Sequence, residues 1–169
     1  SSLYLNTTGN HNVAVGENAL NQNTSGYYNC AFGTWALEHN TTGFDNVATG
    51  IGALNGCTTG SYNVAFGTDA LMSLTTGLKN TALGHASLRS ATTGESNTAG
   101  GYQSLRLNQF GYQNTAIGAV AMYSNTTGYW NTALGGGALY FNTTGIENMG
   151  IGYASIYSNI SGNYNISIG

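Results

Sequence analysis

This sequence predicts an all-β fold, a parallel β-solenoid (β-roll) of about ten 17-residue coils, and three observations point to it. Asparagine recurs at Asn12, Asn29, Asn46, Asn63, Asn80, Asn97, Asn114, Asn131, Asn148 and Asn165, always 17 residues apart. Two glycine files keep the same interval, one from Gly9 to Gly162 and one from Gly16 to Gly169. Charged residues make up 5% of the chain and proline is absent, whereas a soluble domain ordinarily carries about 25% charge. An unbroken interval means one structural unit stacked on itself. Residues 1–169 therefore read as a single repeat domain anchored on the ten asparagines.

Each unit is counted from its asparagine as position 0. Positions 1 and 3 are mostly apolar and position 2 is nearly always alanine, as in Val13-Ala14-Val15 and Thr132-Ala133-Leu134. That is period-two patterning, so a short strand is expected over positions 0 to 4. Glycine at position 4 marks a corner needing positive φ or close backbone approach. Leucine at position 8, from Leu20 to Leu139 with Met122 and Ile156 as variants, marks a core column. The Asn-Thr-Thr-Gly run of positions 11 to 14 is a second corner. Helix is excluded, because every full unit carries at least two glycines and most add a Thr-Thr pair. Two or three short strands per coil are expected, stacked at about 4.8 Å per rung.

The position-0 file has a physical cause. Amides stacked one rung apart can donate and accept in a continuous ladder. Aspartate could neither donate nor tolerate its twin, and none of the ten sites is Asp. The strand carries no charge on either face, so a thin coil with one inside and one outside needs a second covering layer. Another copy of the chain is the expected cover, most simply in a trimer. Which face meets the partner is left open by the sequence.

Composition excludes several functions. The net charge is −3 and only Lys79, Arg89 and Arg106 are basic, so no nucleic acid is expected as partner. No apolar run is long enough to cross a membrane, and residues 1–8 lack the basic and apolar regions of a signal peptide. Opening on Ser1 points to a processed chain or a segment of a longer one. Cys30 and Cys57 lie at different corners on different coils and are expected to be free, mostly buried thiols. The acids Glu17, Glu38, Asp45, Asp69, Glu95 and Glu147 never share a phase on adjacent coils, so a paired-carboxylate glycosidase site is not evident. His11, His39 and His85 fall at three different positions and read as isolated, solvated side chains; no metal site and no cofactor are expected.

The variable corners carry more. Positions 15 and 16 hold Tyr27, Tyr28, Phe44, Tyr62, Tyr112, Tyr129 and Trp130, and position 9 holds Arg89, Arg106, Tyr123, Tyr140 and Tyr157 in one file. Aromatic edges amid Asn and Thr suit either stacking on sugar rings or covering seams between chains, and interfaces in general favour the second. Stacked Arg89 and Arg106 would repel each other. Asn6, Asn23, Asn40, Asn125, Asn142, Asn159 and Asn165 stand in glycosylation sequons, though the repeat already explains the tripeptide.

The units Asn131 to Gly145 (NTALGGGALYFNTTG) and Asn80 to Gly94 (NTALGHASLRSATTG) resemble the head repeats of trimeric autotransporter adhesins. They resemble more closely the repeats of bacteriophage tail-fibre and related surface-fibre proteins. The resemblance covers essentially the whole chain and implies a trimeric, left-handed parallel β-roll exposed outside a cell or virion, with no catalytic residues. The expectation is a nonenzymatic extracellular structural or adhesive module, the head of an adhesin or the rod of a tail fibre. Its partners would be copies of itself and a surface glycan or receptor, without membrane insertion. With no capping unit at either end, a filament subunit stacking end to end is the alternative. A fibre-borne polysaccharide depolymerase is the lesser one.

Overall fold

Each unit contributes one strand of three residues, at positions 1 to 3. The strands are β1 (Val13–Val15), β2 (Cys30–Phe32), β3 (Val47–Thr49), β4 (Val64–Phe66), β5 (Thr81–Leu83), β6 (Thr98–Gly100), β7 (Thr115–Ile117), β8 (Thr132–Leu134), β9 (Met149–Ile151) and β10 (Ile166–Ile168). In this computed structural model of residues 1–169 they form one ten-stranded parallel sheet in chain order. The register is the repeat itself: Val13 lies beside Cys30, Ala14 beside Ala31 and Val15 beside Phe32. The same offset holds to the last pair, where Met149 lies beside Ile166.

The expected two or three strands per coil are thus one. Left-handed residues at positions 4, 6, 8 and 16 interrupt every other stretch before it extends. In the first full coil these are Gly16 (φ 131°), Asn18 (φ 57°), Leu20 (φ 50°) and Tyr28 (φ 54°). The coil is nevertheless bonded rung to rung all round. Of 115 backbone hydrogen bonds only 18 lie within the strands, so the corners hold the stack as much as the sheet does. Leu20 N donates to Ala36 O and Gln22 N to Glu38 O, each one coil ahead. A left-handed residue other than glycine costs about 1–2 kcal/mol. Complete burial of the leucine side chain contributes roughly 1.5–3 kcal/mol in return.

The interior is narrow and stacked in columns. Alanine at position 2, alanine or serine at position 7 and leucine at position 8 are buried coil after coil, from Ala19 and Leu20 to Ala138 and Leu139. Glycine at position 14 leaves room for the next rung: a Cβ on Gly43 would lie 2.3 Å from Gly60 O. Because alanine points inward, the side chains at positions 1 and 3 point out. Val15, Phe66 and Leu83 remain 55%, 60% and 48% exposed, and Ile117, Leu134, Ile166 and Ile168 are exposed with them. The sheet therefore presents an apolar outer face along the length of the stack.

Candidate functional site

The asparagines at position 0 form the expected ladder. Asn97 Nδ2 donates to Asn80 Oδ1 at 3.1 Å and to Gly111 O at 2.8 Å. Asn97 Oδ1 in turn accepts the backbone N–H of Asn114 at 3.1 Å and its Nδ2 at 3.2 Å. Two donors and two acceptor sites are all used, so the buried amide is fully satisfied. Eight amide-to-amide links run from Asn29 to Asn165. At the first coil Asn29 reaches Asn12 Oδ1 through its backbone N–H instead.

A second ladder, absent from the sequence reading, runs at position 11. Asn23 donates to Asn6 at 2.8 Å and Asn40 to Asn23 at 2.8 Å. After a gap at Cys57, Leu74 and Ala91, Asn125 donates to Asn108 at 2.6 Å, Asn142 to Asn125 at 3.1 Å and Asn159 to Asn142 at 2.8 Å. Each of these amides also donates to the position-14 glycine carbonyl, as Asn23 does to Gly26 O at 3.0 Å. The same clue that exposed the first ladder was present here, since this file also contains no aspartate. The ladder removes most of the sequons from consideration, because Asn23, Asn40, Asn125 and Asn142 are fully buried.

The Thr-Thr-Gly run has its own task. The backbone N–H groups of Thr7, Thr8 and Gly9 all converge on Thr24 O, at 3.0, 2.9 and 3.2 Å. The Thr7 hydroxyl donates to the same oxygen at 2.8 Å. Thr24 repeats the hydroxyl bond to Thr41 O at 2.9 Å. Such a concave run of N–H groups is an anion-type nest, here filled by the carbonyl of the next coil.

The aromatic residues singled out in the sequence sort into three files. At position 15, Tyr27 stacks on Phe44 (4.9 Å between centroids, 7° between planes) and Tyr112 on Tyr129 (4.6 Å, 7°). At position 16, Tyr28, Tyr62 and Trp130 stand edge-on to these rings. At position 9, Tyr123, Tyr140 and Tyr157 stack in sequence at 5.2 Å spacings. The arginines of this file find separate partners rather than facing each other. Arg89 pairs with Asp69 at 3.3 Å, and Arg106 lies over the Tyr123 ring at 5.6 Å and donates to its hydroxyl.

The histidines are less isolated than expected. His11 packs against Tyr28, His85 stacks on Tyr102, and His39 Nδ1 lies 3.0 Å from Asn55 O. No three His, Cys, Asp or Glu side chains converge as metal ligands would. Both cysteines are free. Cys57 is buried, and desolvation pushes its thiol up to about 12, against the smaller lowering effect of a backbone hydrogen bond at Gly60. Cys30 departs from expectation: it is only half-buried, because position 1 belongs to the outer sheet face.

A recess of about 340 Å³ opens at positions 13 to 16 between two coils, lined by Thr93, Glu95, Ser96, Phe110, Tyr112 and Gln113. Only Tyr112 among these was a candidate from sequence. Thr93 is the repeat's own residue at position 13, and the remaining four stand singly, with no periodicity to mark them. Phe110, for example, stands where the neighbouring coils have Thr93 and Thr127.

The fold and these files define a class: a parallel β-solenoid with one strand per coil and amide ladders in its core. No family model, curated protein or solved structure matches the chain.

Proposed function

We propose that this chain is a nonenzymatic extracellular fibre module, the rod or head of an adhesin or tail fibre. In this reading it assembles with copies of itself, most simply as a trimer, and presents its variable corners to a surface glycan or receptor. The outer face of the sheet carries the proposal. Val15, Phe32, Phe66, Leu83, Ile117 and Leu134 form an exposed apolar file at position 3, broken only by Thr49 and Gly100 within that span. A contiguous exposed apolar surface of this kind marks an interaction site. Because the file follows the repeat, its best complement is an equally periodic surface, which a second copy supplies in register. The ladders support a mechanical role, since every rung is bonded to the next through side chains as well as backbone.

Light scattering coupled to size exclusion tests the assembly. A mass three times that of the 17.5 kDa chain is expected. A folded, soluble monomer would overturn the reading, and rods of uniform width and indefinite length by electron microscopy would replace the trimer with a filament.

A further inference from the structure

We propose that the recess between Glu95 and Tyr112 is a subsite for one pyranose ring of an uncharged glycan. The proposal deepens the surface-display reading and rests on it. In the position-15 file, Tyr129 and Tyr112 stack as parallel rings 4.6 Å apart. The next rung of that file holds Glu95 instead of a third ring. The stack therefore stops at Tyr112 and leaves the ring's far face bordering the recess. Phe110, 53% exposed, forms a second apolar wall beside Tyr112, which is itself 38% exposed.

The rim is polar. It carries the Glu95 carboxylate, the Thr93 and Ser96 hydroxyls and the Gln113 amide. Gln113 is held in place because Trp130 Nε1 donates to its Oε1, which leaves its NH₂ to donate outward. Trp130 is braced edge-on against Tyr129 at 5.1 Å. An apolar floor with a few fixed polar groups at its edge is how small-ligand sites achieve orientation.

The chemistry of the occupant follows. A pyranose has one face of C–H bonds for the open side of Tyr112 and a ring of hydroxyls for the rim. Glu95 accepts from hydroxyls, Gln113 donates, and the Ser96 and Thr93 hydroxyls do either. A nucleotide or phosphorylated sugar would set its charge against the Glu95 carboxylate. A quaternary ammonium could use Glu95 and the rings, but would leave the amide and both hydroxyls unused. An unsubstituted aromatic ring would leave the whole rim unpaired, which is unfavourable once water is excluded.

Trp130 reports on the site through its bond to Gln113. In a Trp35→Phe background it is the only tryptophan. Its emission is titrated with glucose, galactose, mannose, N-acetylglucosamine and N-acetylgalactosamine, with choline and phosphocholine as charged controls. At least one sugar is expected to give a saturable shift. Phe110→Thr, which restores the residue of the neighbouring coils, and Glu95→Gln are each expected to weaken it by roughly tenfold or more. Saturation by no sugar, saturation by choline alone, or undiminished binding in both variants would overturn the proposal. Light scattering on the same samples reports assembly independently, so loss of the subsite and loss of the fibre reading are told apart.

Discussion

Cys57 follows Asn40 in the position-11 file and turns its thiol to Gly60 O at 3.5 Å, leaving the buried Oδ1 of Asn40 with no hydrogen-bond partner. Every other asparagine oxygen in the first half of this ladder is taken by the amide one coil ahead, as Asn6 and Asn23 are. The ladder is directional, so wherever it stops in the interior it strands an acceptor at its forward end. At the exposed end of the chain the same problem is solved locally: Asn159 Oδ1 accepts from Gly162 N at 3.0 Å.

Joining the two halves of this ladder should be strongly cooperative. Cys57→Asn alone moves the stranded acceptor to face Leu74, for a net gain of about one bond, roughly 0.5–1.5 kcal/mol. Leu74→Asn alone removes a buried leucine and adds an amide without amide neighbours, and is expected to destabilise by at least about 3 kcal/mol. The triple substitution Cys57→Asn, Leu74→Asn, Ala91→Asn lets the amides bond through from Asn40 to Asn108. It should therefore lie well above the sum of the three single effects. Urea midpoints for the singles and the triple measure that coupling. Simple additivity would mean that the amides do not link.

Asn97→Asp tests the first ladder. The carboxylate would oppose Asn80 Oδ1 and Gly111 O, both of which now accept from the Asn97 amide. Each acceptor loses one of its two donors, Asn80 Oδ1 keeping the Asn97 backbone N–H and Gly111 O keeping Asn108 Nδ2. The lost bonds cost about 0.5–1.5 kcal/mol each, and a buried charge is added against the two oxygens. Burial raises the pKa of the introduced carboxyl. The variant's deficit is therefore smallest below the unfolded value of about 3.9 and grows as pH rises through the folded one. Ser96→Asp, one residue away at an exposed left-handed position (φ 57°), is expected to change stability by less than about 0.5 kcal/mol. Equal effects in thermal melts at neutral pH would contradict the ladder.

The stacking, its register and the position-0 ladder are legible in the sequence because each depends on a residue type that repeats without exception. Alanine at position 2 and leucine at position 8 mark the core because their few replacements are small in the one file (Gly150, Ser167) and apolar in the other (Met122, Ile156). What stays hidden is conformation that side chains do not advertise. Leu20, Trp35 and Val120 are left-handed at φ 50°, 60° and 52°, although such residues disfavour that region. The backbone bonds of the stack impose it, and tertiary bonding overrides local preference. The recess at Glu95 and Phe110 is hidden for the opposite reason: it is made by exceptions, and one exception cannot be told from drift until the structure brings several together.

Left-handed strain is therefore a reserve of stability. Val120 is β-branched at φ 52°, at the position where Gly52 and Gly137 adopt φ 67° and 66°. Val120→Asn, which tolerates this region, is expected to stabilise by about 1 kcal/mol. Gly84→Ala should do the reverse. At φ 133° an added Cβ would lie 2.6 Å from Gly101 O and 2.8 Å from its carbonyl carbon, a backbone clash no rotamer relieves. A loss of more than about 3 kcal/mol is expected. Calorimetry on the two variants checks both signs at once.

The two thiols separate the fold from the assembly. At pH 8 Cys57, with its thiol near 12, has only about one molecule in ten thousand as thiolate, and it is enclosed as well. It should react with a thiol reagent only as fast as the coil opens. Cys30 lies on the outer sheet face and is half-buried in the single chain. If copies of the chain meet through that face, Cys30 is covered too, and neither thiol labels quickly at high protein concentration. Dilution into conditions that dissociate the assembly without unfolding it should then release one fast-reacting thiol per chain, lost in Cys30→Ser. Fast labelling of Cys30 at every concentration would leave the apolar face uncovered and remove the main support for self-association. Fast labelling of Cys57 in folded protein would contradict the packed interior itself.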